Sequence, residues 1–379
     1  MGEDVRRAPA SGGPPDVKST IVVPTFNRPA FVRRCLRYLT AQQCPHAVII
    51  ADGSEPAIAE ENARATHQAS QFIEATHLAY PSDLPFLMRC WEALGHVRTE
   101  TATFHADDDF LFVRAISDAA TLIETDPSLA AAQGQIVIVQ NTHAENLARI
   151  HTSPTQECTR GTASERLLHW LADYRPLFYA TTRTSVLRHA FYEAARLEPP
   201  ASRLLEIAMC YLVLLQGGVG HLPHVYGVRE SHPAATGRGD TSWTDIVCSA
   251  EFSPWFARFR ERLVQFAAES GVDEGPRLAE AANESFCRYL ALAFGKPRPN
   301  MANELAQRAL TLQLFSPTPT SAQYTKELEC VFSIMTSGSV NMSARDNEDA
   351  PPLELEDPPA AFFIDKRSLL RVDETAAAI

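Results

Sequence analysis

Three short apolar runs, each cut off by a polar cluster, constrain this chain more than any other feature. Thr20-Ile21-Val22-Val23 is stopped by Pro24-Thr25-Phe26-Asn27-Arg28, Val48-Ile49-Ile50-Ala51 by Asp52-Gly53-Ser54, and the run from Thr101 to Ala106 by Asp107-Asp108-Asp109. Short apolar runs bounded by turn residues read as buried strands. After the first cluster, Phe31, Val32, Cys35, Leu36 and Leu39 recur at helical spacing, and Pro29 suits a first helical position. Further helices are predicted over Ala57–Phe72 and from Val113 to Glu124, with another strand over Gln135–Val139. Alternating strands and helices predict an α/β fold, a Rossmann-like and mainly parallel sheet with flanking helices. In such sheets ligands bind beyond the carboxyl ends of the strands. All three polar clusters fall at those ends.

Composition sets the outer bounds. A chain of 379 residues that is 45% hydrophobic and 21% charged has ample material for a packed core, which excludes global disorder. The net charge of −12, from 34 basic and 46 acidic residues, argues against a nucleic-acid partner. No apolar run reaches the ~18 residues of a membrane span, and Met1–Asp16 carries no apolar signal core. Eight cysteines without a CxxC pair predict reduced, mostly buried thiols and a cytoplasmic protein. The expected organisation is a flexible leader over 1–17, an α/β domain over 18–235, and a loop, lid or linker over 236–252. A helical C-terminal subdomain over 253–336 and an acidic flexible tail over 337–379 follow, the tail offering the apolar patch Ala360–Ile364 for docking.

Two readings of the acidic triplet are open from its residues alone. Clustered carboxylates at a strand end can hold a hard divalent cation, or form an acidic turn that caps the helix behind it. Asp52-Gly53-Ser54 can likewise be an ordinary Asp-Gly turn.

Taken together, "TIVVPTFNR" at 20–28, "VIIADGSEP" at 48–56 and "ATFHADDDF" at 102–110 resemble the family 2-like glycosyltransferases of the GT-A fold, in order and in spacing. The resemblance covers roughly residues 19–232. It implies that Pro24, Thr25, Asn27 and Arg28 line a nucleotide pocket, that Asp52 accepts from the base, usually uracil, and that Asp107 and Asp108 engage the sugar nucleotide. Asp107 and Asp109, with His232, would hold Mn²⁺ or Mg²⁺. The stretch Ser82–Cys90 keeps only Arg89 of the family's usual pattern, which suits either a nucleotide contact or a salt-bridged helix arginine. The resemblance also implies a base: the family's acid, followed eleven residues later by Gly and then by a Pro-containing strand, corresponds to Glu206, with Gly217 and Pro223, and Glu206 is expected to be partly desolvated beside Leu204, Leu205 and Ile207. Leu205 stands where the family commonly has a first acid. Arg229 and Glu230 are alternates for phosphate or acceptor contact, and Arg238 and Trp243 could close a lid.

The resemblance therefore implies a metal-dependent, inverting transferase that moves a hexose from a nucleotide sugar, a UDP-sugar, to a small-molecule, glycan or protein acceptor. Donor sugar, acceptor and oligomeric state are not legible. Two alternatives stay open: a nucleotidyltransferase, although the first loop lacks the Gly and Lys of a phosphate-binding loop, and a non-catalytic nucleotide-sugar-binding protein with a degenerate site.

Overall fold

The computed structural model describes residues 19–141, 147–153, 157–231, 242–272, 274–294 and 362–365. The chain runs β1 (Thr20–Thr25), α1 (Pro29–Ala41), β2 (Ala47–Asp52), α2 (Pro56–Ala69), β3 (Ala75–Ala79), α3 (Phe86–Leu94), β4 (Thr101–Phe104), β5 (Phe110–Leu111) and α4 (Val113–Thr125). It continues through β6 (Leu129–Asn141), β7 (Leu147–Ser153), α5 (Ala163–Ala172), β8 (Thr181–Arg183), α6 (Thr184–Leu197), α7 (Ser202–Gln216) and β9 (Gly218–Ser231). The described part ends with α8 (Trp243–Cys248), α9 (Phe252–Glu269), α10 (Gly275–Phe294) and β10 (Phe362–Asp365).

The strands form one sheet in the order β10-β7-β6-β8-β4-β1-β2-β3, with β9 joined to β5 and β6. The expected α/β class is borne out. Parallel pairing holds β3, β2, β1 and β4 together, whereas β8 runs antiparallel to β4 and β6. Register puts Thr25 opposite Asp52 and Val22 opposite Phe104, so the carboxyl ends of β1, β2 and β4 emerge side by side. That alignment brings the three polar clusters together.

Alternation along β1 and β2 divides the core into two. Ile21, Val23, Val48 and Ile50 face α1 and α4, while Val22, Ile49, Ala51 and Phe104 face α3, α6 and α7. Among the described residues the C-terminal helices have no separate core. Trp255, Phe259 and Leu263 of α9, with Leu278 and Phe286 of α10, belong to the same apolar cluster as Phe104 and Leu212. Arg262 of α9 adds a two-pronged ion pair to the buried Glu193 of α6, at 2.6 and 2.8 Å. No described helix is long and apolar enough to cross a membrane.

Several features depart from sequence expectation. Strand β3, "ATHLA", lies at the sheet edge with much of its surface exposed and lacks a β-branched run, so its sequence carries little strand signal. Strand β6 begins six residues before the expected Gln135, through an alanine-rich stretch that pairs with β9 across register shifts near Gly134. Within the expected tail, Phe362–Asp365 pairs antiparallel with β7. The leader and residues 295–361 lie outside the described residues. Among the described cysteines, Cys35, Cys44, Cys90, Cys158 and Cys210 are buried free thiols, while Cys248 and Cys287 are exposed.

Phe259 tests the shared core. It is fully buried, stacked on Trp255 at 5.1 Å between centroids and edge-on to Tyr211 at 5.3 Å. Phe259→Ala should lower unfolding free energy by about 3–5 kcal/mol, read by urea denaturation, in one transition that also carries the sheet signal.

Candidate functional site

The first loop is fastened to the second by its own turn. Asn27 adopts a left-handed backbone with φ of 55°, a conformation Asn tolerates better than most residues. Its amide donates to Ser54 Oγ at 2.7 Å, and its Oδ1 accepts from the Glu55 amide at 2.9 Å. Pro29 then opens α1 directly behind Arg28.

The acidic turn is nearly buried, with Asp107, Asp108 and Asp109 at 2%, 6% and 4% exposure. Like charges so placed need compensation from elsewhere: Asp107 and Asp108 share Arg28, while Asp109 turns to Tyr179 and the end of β9. Arg28 reaches Asp107 Oδ1 at 2.7 Å and Asp108 Oδ2 at 2.6 Å, with its guanidinium over the Phe31 ring. Thr25 Oγ1 donates to Asp107 Oδ2 at 2.7 Å. Asp109 accepts from Tyr179 Oη at 2.5 Å and from the Glu230 amide at 2.9 Å, with Arg229 Nε 3.5 Å away and its guanidinium over the Tyr179 ring. Arg34 joins the rear of the site, donating to the Asp108 carbonyl at 2.7 Å and to Glu230 Oε2 at 2.6 Å.

This compensation is incomplete. Burial pushes the Asp107 carboxyl up to about 6; Arg28 and Thr25 pull against that, while Asp108 and Asp109 add to it. Asp109 is raised as well, by burial first and Asp108 beside it, against the pull of Arg229 and Tyr179. The phenol of Tyr179 is forced far upward by burial and by Asp109. His105 closes the base of the turn: one ring nitrogen lies 2.6 Å from the Ala106 carbonyl and the other accepts from the Leu111 amide at 3.1 Å. Burial holds this imidazole neutral, down to about 4.

Asp52 is wholly buried at the end of β2. It accepts from the Ser54 amide at 2.8 Å, Asn62 Nδ2 at 2.8 Å and His77 Nε2 at 2.9 Å. Burial would raise this carboxyl, but the bonds from His77, Ser54 and Asn62 outweigh it and hold Asp52 below the ordinary range. Arg89 is also buried and lies flat against the turn; a Cβ on Gly53 would sit 1.5 Å from its Nη1. Arg89 makes no ion pair among the described residues and its Nε has no hydrogen-bond partner, so it is not a salt-bridged helix arginine. Burial lowers its pKa, against the pull of Cys90 and Asp52.

The structure thus brings together Pro24, Thr25, Asn27, Arg28, Asp52, Arg89, Asp107, Asp108 and Asp109. Glu206 is the fifth residue of α7 and is exposed, not partly desolvated, because Leu204 and Ile207 take the inward positions there. Its charge nevertheless helps raise the pKa values of Arg229, Tyr174 and Tyr289, which places it on the Arg229 side of the site. Trp243 does not form a lid: it opens α8, buried edge-on against Phe286 and Tyr289. His232 and Arg238 lie outside the described residues. Among the described residues no group of three or more His, Cys, Asp or Glu side chains is arranged to hold a metal ion. Tyr179, Arg34, His105 and His77 join the site without having been singled out from the sequence for it; only the partners they meet across the fold identify them.

No protein-family model matches the sequence, and no curated protein matches it. Among solved structures, the chain is similar in fold to Staphylococcus aureus TarS 1–349 in complex with UDP-GlcNAc, at 14% identity over 84% of this chain and 81% of that one, with a TM-score of 0.49. It is also similar to the mannosyltransferase PcManGT from Pyrobaculum calidifontis in complex with GDP-Man and Mn²⁺, at 15% identity over 86% and 87% of the two chains, with a TM-score of 0.39. A third is glucosyl-3-phosphoglycerate synthase from Mycobacterium tuberculosis with phosphoglyceric acid, at 9% identity over 58% and 74%, with a TM-score of 0.33.

The strained carboxyl has a measurable signature. A folded-state pKa of about 6 lies above the ordinary carboxyl value, so the folded protein holds this proton where the unfolded chain has lost it. Asp107 therefore costs stability as pH rises from about 4 to 6, and the cost persists above that window. Asp107→Asn should be more stable than the wild type at pH 7.5, by up to about 3 kcal/mol, with the difference shrinking toward pH 4 in urea denaturation.

Proposed function

We propose that this chain is a glycosyltransferase of the GT-A type that transfers a hexose from a UDP-sugar to a hydroxyl acceptor with inversion. The observation that carries the reading is the joining of all three strand-end clusters in one bonded network: Asn27 to Ser54, Thr25 and Arg28 to Asp107, and Arg28 to Asp108. Arginines converge on that network from α1, α3 and β9. Guanidinium groups suit the planar, bidentate recognition of phosphate oxygens, so Arg28 and Arg229 are assigned to the donor's diphosphate. Arg89 lies against Gly53 at the nucleoside end, a cation with no ion pair among the described residues.

A divalent cation, Mn²⁺ or Mg²⁺, belongs to the same reading. Such a cation can be held by one or two carboxylates with the remaining ligands coming from substrate phosphates and water. Asp107 and Asp109 fit that donor set, since both carry negative charge that their arginine partners do not fully relieve. His232, outside the described residues, is assigned by the family resemblance as a further ligand. When bound, the cation would stabilise charge on the departing diphosphate.

The protein's own groups account for the remaining work. Tyr179 and the Glu230 amide hold Asp109 in place, and Arg34 fixes the backbone of the turn. Glu206, exposed at the mouth, accepts the proton of the attacking hydroxyl. The free thiols suit a reducing, cytoplasmic location.

Donor hydrolysis and transfer from a panel of UDP-sugars with Mn²⁺ test the reading. Glu206→Gln should retain UDP binding and lose about 10²- to 10⁴-fold in kcat, whereas Asp107→Ala/Asp109→Ala should lose UDP binding. A wild type that binds UDP yet neither hydrolyses nor transfers from any donor would make the chain a non-catalytic binder.

A further inference from the structure

The assignment of Asp52 as the group that reads the nucleobase does not fit its surroundings. A carboxylate offers about four acceptor positions, and Asp52 has three of them filled by Ser54, Asn62 and His77 while its side chain has no exposed surface. With no side-chain surface exposed, Asp52 can reach a base only if the turn around it opens. His77 is differently placed. It lies on β3 opposite Ile50, two residues before Ala79, which pairs with Asp52, so its ring shares a sheet face with that carboxylate. It also lines a cleft of about 830 Å³ between α2 and the segment Tyr80–Asp83.

The chemistry of this cleft separates it from the diphosphate end. Its walls include Ala59 and Ala63 of α2, Ala79 of β3, and Pro81, small apolar surfaces suited to a flat ring. Its charged lining is acidic, Glu60 and Asp83, with no Arg or Lys. An anionic diphosphate is excluded there and finds its cations at Arg28 and Arg229 instead. The Asp52–His77 bond sets the tautomer: the carboxylate takes the hydrogen on Nε2, and in that tautomer Nδ1 is the acceptor. Nδ1 has no partner among the described residues.

We propose that His77 reads the donor's nucleobase, with Asp52 as the positioning residue that sets its tautomer. An acceptor nitrogen here selects a base whose ring N–H lies between carbonyl groups, as N3–H of uracil does, and the cleft between α2 and Tyr80–Asp83 receives that ring. This assignment rests on the donor-site reading above and moves its base contact from a carboxylate to an imidazole.

Calorimetric binding of UDP and of UDP methylated at N3 decides the matter, because the methylated base has the same shape elsewhere but no hydrogen to give. The wild type should prefer UDP by about 10- to 100-fold, the loss expected when a buried acceptor goes unpaired. His77→Ala should bind the two alike, and His77→Gln, whose amide oxygen can accept, should recover part of the preference. Equal affinities in the wild type would overturn the assignment without any variant. A full preference in His77→Ala would also overturn it, while UDP binding in that variant would leave the donor site itself intact. A wild type that bound no UDP, with or without Mn²⁺, would remove the donor-site reading and this assignment with it.

Discussion

Three consecutive carboxylates share one nearly buried turn, and the arginines that reach them tie the rest of the molecule to that turn. Arg28 comes from the start of α1, Arg34 from six residues further along it, and Arg229 from the end of β9. Removing one of these arginines would strand buried carboxylates, a loss that commonly costs about 3–5 kcal/mol. The relative placement of α1, β9 and the Asp107–Asp109 turn is therefore set by charge as much as by packing. Even so, Asp107 and Asp109 keep raised pKa values, and the cluster remains short of positive charge. In the proposed reading a cation, and an anion brought in with it, make up that shortfall.

The two ends of the proposed donor site differ in kind. At β4 and β9 the groups are carboxylates and guanidiniums, the ones the proposal assigns to a diphosphate and its cation. At β2 and β3 the Asp52, Ser54, Asn62 and His77 bonds are satisfied internally, and Asp52 lies below the ordinary carboxyl range. The first arrangement suits charge that changes during reaction, the second a rigid shape that reads a neutral ring. Arg89, lying across Gly53 between the two, is the buried cation whose partner the described residues do not supply.

Much of this was legible in the sequence for a local reason. Strands β1, β2 and β4 are short buried runs ending in turn residues, so both the strands and the polar clusters at their ends show up within a few positions. Residues defined by a distant partner did not show up. His105 acts across the turn on Leu111, Tyr179 meets Asp109 from 70 positions away, and Arg34 meets Glu230 from 196. Strand β3 was silent because an edge strand needs no apolar alternation, and His77 was hidden with it. Trp243 was misread from its small-residue neighbours, although its ring packs in the C-terminal helices. Glu206 was expected to be desolvated from its apolar neighbours, but helical geometry turns it outward.

The central claim is that the Asp107–Asp109 turn, with its arginines, is where the diphosphate of a nucleotide sugar binds. A crystal structure of the chain with UDP and Mn²⁺ tests it most directly. The account predicts the diphosphate between Arg28 and Arg229, with the cation on the acidic turn and the Arg28 bridge to Asp107 opened or re-aimed. A nucleotide bound elsewhere on the chain, or an acidic turn still closed by its arginines at saturating UDP, would contradict it.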